Sequence, residues 1–133
     1  MKRPLFIGLL ALVLGLLAAA AFAQSVPNPR LINFTASPDH QSITVYEVGW
    51  FLSGATSPVG TTDLGKPAPD TVPTCSSPVP CVEASINVMP LPFAEYTAKV
   101  RARAGTLYSE WSLPSNPFVR VPGSPGGVPV VKK

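Results

Sequence analysis

Glu95-Tyr96-Thr97-Ala98-Lys99-Val100-Arg101-Ala102-Arg103 alternates without a slip. Side chains on a strand repeat every two residues, so Tyr96, Ala98, Val100 and Ala102 share one face and Thr97, Lys99, Arg101 and Arg103 the other. The stretch predicts a half-buried β-strand.

Working outward, residues 82–88 alternate in the same way, with Val82, Ala84, Ile86 and Val88 opposite Glu83, Ser85 and Asn87. Residues 43–52 place Tyr46, Val48 and Trp50 on one face. Residues 31–36 do so with Ile32, Phe34 and Ala36. A last strand is expected within residues 115–121. Pro38-Asp39-His40-Gln41 and Pro90-Leu91-Pro92 are turns. Residues 54–80 carry Pro58, Pro67, Pro69, Pro73, Pro78 and Pro80, so any strand there is short and at an edge. No window beyond residue 24 sustains an apolar i, i+3, i+4, i+7 pattern, and the class is all-β.

The chain has 133 residues and a formal net charge of +3. Its start has the three parts of a cleavable leader: Lys2 and Arg3, an apolar run over residues 5–20, and the small-x-small exit Ala21-Phe22-Ala23. About 20 apolar residues can also span a bilayer. The small-residue exit and the uncharged flank after Gln24 favour cleavage, which makes the mature chain secreted, periplasmic or extracellular, with no stable membrane anchor. The expected organisation is a leader over 1–23, one domain over 24–122 and a flexible Gly/Pro/Ser tail over 123–133. Loss of Lys2 and Arg3 lowers the charge from +3 to about +1, too little for the broad positive field of a nucleic-acid binder. Nucleic acid is therefore not an expected partner.

Several short strands with proline and glycine turns form a sandwich most economically. Leu91-Pro92 followed by residues 96–104, Tyr46-Glu47-Val48-Gly49-Trp50, and Tyr108-Ser109-Glu110-Trp111-Ser112 with Pro114-Ser115-Asn116-Pro117 resemble, in that order, three landmarks of a fibronectin type III domain. The resemblance covers roughly residues 26–122 and implies an immunoglobulin-like β-sandwich of about seven strands, with Tyr96 as its tyrosine corner. Tyr108-Ser109-Glu110-Trp111-Ser112 is also similar to the W-S-x-W-S box of cytokine-receptor fibronectin domains, tyrosine replacing the first tryptophan. That likeness implies cation–π stacking of Arg101 and Arg103 with Tyr108 and Trp111. The competing assignment of Lys99, Arg101 and Arg103 is an anion-binding stripe.

Little else points to chemistry. Cys75 and Cys81 enclose five residues, and in an exported chain an even cysteine count favours a disulfide. The spacing is not that of a redox C-x-x-C pair, and two cysteines without a nearby histidine cannot make a tetrahedral zinc site. His40, the single histidine, follows Asp39 in a turn; pairing it with Asp39 or Glu47 gives an acid–base unit but no nucleophile. The seven carboxylates lack calcium-loop spacing. Asn33-Phe34-Thr35 has the form of a glycosylation sequon but falls inside a predicted strand and is read as a chance match. No catalytic residue, metal or cofactor is expected. The expectation is a binding or adhesion module recognising a protein or glycan through its loops, or else a structural subunit that adds a strand through residues 128–131.

Overall fold

The computed structural model describes residues 25–70 and 77–133. The predicted leader lies outside the described residues. The regular structure of the described residues is all β-strand apart from one 3-10 turn at His40–Ser42. In order its strands are β1 (Val26–Pro27), β2 (Leu31–Thr35), β3 (Val45–Leu52), β4 (Gly60–Gly65), β5 (Cys81–Ser85), β6 (Ala94–Ala104), β7 (Leu107–Tyr108) and β8 (Phe118–Arg120).

The larger sheet runs β1-β8-β6-β3-β4, with β7 also paired to β6. The smaller is the antiparallel pair β2-β5. β6 is the long central strand, and β3 lies antiparallel beside it over eight pairs from Val45↔Arg103 to Leu52↔Tyr96. This register puts Tyr46, Val48 and Trp50 beside Ala102, Val100 and Ala98 on one face. Those residues join Tyr96, Phe118 and, from the smaller sheet, Val82 in a buried apolar cluster. Ile32 and Phe34 of β2 pack against it. The edge of Trp50 meets Phe118 at 5.8 Å, and Tyr96 stacks on Phe118 at 5.5 Å. At about 25 cal/mol per Å² of apolar surface, such aromatic burial dominates the stability of a small domain.

β4 is an edge strand in the proline-rich region, and it shifts register against β3 between Tyr46 and Glu47. The two-residue pairings were not evident in the sequence. β1 runs parallel to β8 through Val26↔Phe118 and Pro27↔Val119. β7 folds back on β6 across a turn at Gly105, whose φ of 62° is one that side chains disfavour. The last strand, β8, lies within the expected residues 115–121 and is held to three residues because Pro117 and Pro122 bracket it and cannot donate to a ladder. The strand after Cys81 likewise ends at Ser85 rather than 88. From there the Ile86 N–H turns to the Arg30 carbonyl, while Val88 stays buried.

Candidate binding cleft

β3 is buried on both faces. Its inner face joins the apolar cluster. Its outer face, Glu47, Gly49 and Phe51, is covered by side chains from β6 and from residues 107–112. The cover has a repeating basis. Ser109, Ser112 and Ser115 recur every third residue, and each meets every second residue of β6. Their N–H groups donate to the carbonyls of Ala102, Val100 and Ala98 at 2.9, 2.8 and 2.8 Å. The N–H groups of the same three β6 residues donate back to the serine Oγ atoms, each at 2.9 Å. Each hydroxyl then donates to the carbonyl of the following residue. A serine side chain thus replaces the carbonyl a partner strand would supply, so proline-containing chain can line a strand without leaving its polar groups unsatisfied. Three residues per repeat is the period of polyproline II chain.

That repeat also spaces Tyr108 and Trp111. The Arg101 guanidinium carbon lies 4.0 Å from the Tyr108 ring centre and 4.3 Å from that of Trp111. Arg101 Nε and Nη2 donate to Glu47 Oε1 at 2.9 and 2.6 Å. Lys99 Nζ lies 4.6 Å over Phe51, whose ring meets Trp111 edge-on at 5.4 Å. Arg103 goes elsewhere. Its Nη2 lies 3.4 Å from Asp63 Oδ2 and its Nη1 donates to the Gly105 carbonyl, while its Nε is buried without a partner. The stacking expected of Arg103 is therefore not what the geometry gives. The serine repeat advances by three while β6 advances by two, and the aromatic pair centres on Arg101.

Tyr96 donates from its hydroxyl to the Pro92 carbonyl at 2.7 Å, four residues back. His40 and Glu47 are not partnered with each other: His40 Nδ1 lies 2.8 Å from the Tyr46 hydroxyl, which accepts from the Ser37 N–H at 3.0 Å. Burial pushes the Tyr46 phenol above its usual 10, and the Ser37 N–H offsets part of that rise. Cys81 is 1% exposed; Cys75 lies outside the described residues. No group of three or more metal-ligating side chains occurs among the described residues.

Sequence reasoning missed Glu47 as the partner of Arg101. It also missed Gly49, where a Cβ would lie 2.8 Å from Trp111 Cη2 and 2.9 Å from Phe51 Cε2. The interval Ser109, Ser112, Ser115 was the available signal.

The inner side of the same segment borders a cleft of about 890 Å³. Its floor is the apolar cluster, including Trp50 and Val100. One wall is β2, with Ile32 and Phe34, and the other is the loop through Leu113. Leu31 and Leu113 at its rim are 56% and 89% exposed. Comparison with known protein families, curated proteins and solved structures finds no match for this chain.

Proposed function

We propose that this chain is an exported, non-catalytic binding module built as a fibronectin type III-like β-sandwich, and that it recognises an extended apolar protein segment. Support for the sandwich comes from the apolar cluster shared by both sheets and from the Tyr96–Pro92 bond, the geometry of a tyrosine corner. Support for export is the leader-like start and the Cys75/Cys81 pair, proposed here as a disulfide staple.

The observation that carries the binding role is the cleft between β2 and residues 109–116. It is a concave surface that sets an apolar floor among polar lining residues such as Asn33, Thr35, Ser37, Glu110 and Asn116, the usual character of a recognition site. Both of its walls are held by dense hydrogen bonding, so it is formed before a ligand arrives.

The test uses Trp50 as an internal reporter. Titration of a Trp111→Phe form of the exported chain, which keeps Trp50 as its tryptophan, with short valine- and leucine-rich peptides should shift the emission, and adding Leu113→Glu should abolish the shift. Neutral or acidic oligosaccharides should leave it unmoved. Saturable oligosaccharide binding with no peptide response would replace this assignment with a glycan-binding one.

A further inference from the structure

Residues 128–133 read Val-Pro-Val-Val-Lys-Lys, and Val128, Val130 and Val131 are 89%, 77% and 98% exposed. Three uncovered aliphatic side chains in six residues are costly to leave in water. The same molecule carries an apolar cleft whose rim residues, Leu31 and Leu113, are also uncovered.

We infer that the cleft receives residues 128–133 of a second copy of this chain. The inference rests on the cleft being a recognition site and names its occupant. The fit is one of length and charge. Along β6 the cleft runs from Ala98 to Ala102, about 13 Å at the rise of a strand. Extended chain covers that distance in about four residues, the length of Val128 to Val131. With Val128 at the Asn116 and Phe118 end, Lys132 and Lys133 reach the end lined by Ser109 and Glu110. Glu110 is the one carboxylate among the lining residues, and the cation at the same end, Arg101, has its guanidinium held by Glu47. Side chains two apart face the same way, so Val128 and Val130 enter the cleft together. Pro129, between them, has no N–H to bury. Docking uses side chains and requires no free ladder on β2. The tail's own copy leaves it uncovered, and Gly123, Gly126 and Gly127 in the preceding stretch supply the slack to reach a neighbour.

Sedimentation velocity of the exported full-length chain across a concentration series tests this. The sedimentation coefficient should climb with concentration, as mass action requires. A chain ending at Pro122 should lose that climb, as should Val130→Glu and Leu113→Glu, each checked for folding by circular dichroism. Mixing the last two variants should restore association, because one retains a working cleft and the other a working tail. Added salt should weaken it only modestly, since the charges sit at one lip.

Association that survives truncation at Pro122 would overturn the inference, as would a full-length chain that stays monomeric throughout. If the truncated chain still binds valine-rich peptides while the full-length chain is monomeric, the cleft remains a recognition site and only its proposed occupant is wrong. If neither peptide binding nor association is seen, both proposals fall.

Discussion

Glu47 and Arg101 face each other across the β3–β6 ladder, and one carboxylate oxygen, Oε1, accepts both Arg101 Nε and Nη2. Glu47 is 7% exposed, yet its neighbours on the same face are the rings that enclose Arg101. An anion that buried needs its partner more than an exposed one does. Arg101→Met should therefore cost about 2–4 kcal/mol, mostly from stranding Glu47. Glu47→Gln keeps an acceptor oxygen and should cost less. The double variant should fall short of the sum, because removing both charges leaves no stranded ion. Urea unfolding of the four proteins measures this, and additive losses would mean that the pair is effectively solvated.

Gly49 has no Cβ, and Trp111 fills the space one would occupy. Its backbone is not in the left-handed region, so Gly49→Ala should follow contact alone. Overpacking of this kind costs about 1–3 kcal/mol. In a Trp111→Ala background the cost should fall without vanishing, because Phe51 Cε2 would still lie 2.9 Å from the added Cβ. Destabilisation of equal size in both backgrounds would show that Trp111 does not rest on Gly49.

The alternating strands, their inward faces and the edge position of the residue 54–80 region were legible because a half-buried sheet writes a period of two into the chain. β1 and β7 were not, since two-residue pairings involving Pro27 or Leu107 carry no period. The candidate site was partly legible. Arg101, Tyr108 and Trp111 stood out through motif resemblance, but Arg103 was grouped with Arg101 because strand spacing alone cannot say where a guanidinium turns. Glu47 was hidden because its partner lies 54 residues away, and only the register brings the two together. The cleft was invisible, as it depends on how the two sheets and the serine-lined loop are placed.

Tyr46 gives a prediction in pH. Burial raises its phenol above 10, so the folded chain holds that proton more tightly than the unfolded chain. The associated stability is fully present below pH 10 and is lost as pH rises through the folded-state value. Tyr46→Phe should flatten that part of the alkaline loss. It should also lower stability at neutral pH by about 1–3 kcal/mol, by leaving the Ser37 N–H without its acceptor. Denaturant midpoints of both proteins between pH 7 and 11 decide it. An unchanged alkaline slope in Tyr46→Phe would assign the loss to other groups.

Trp111 separates a structural role for the stack from a recognition role. Its ring lies over Arg101, meets Phe51 edge-on and covers Gly49, so Trp111→Ala removes three contacts at once. The expected loss is about 2–4 kcal/mol, a large fraction of the stability of a domain this size. Coupling identifies the partner. Trp111→Ala with Arg101→Met should lose less than the sum of the singles, whereas Trp111→Ala with Arg103→Ala should be additive, since Arg103 is engaged by Asp63 and Gly105. Peptide binding offers a second readout. Trp111 is absent from the cleft lining, so at temperatures where Trp111→Ala remains folded it should bind valine-rich peptides nearly as the parent does. A variant of unchanged stability that has lost binding would reverse the assignment and move recognition to the outer face of β3 and β6.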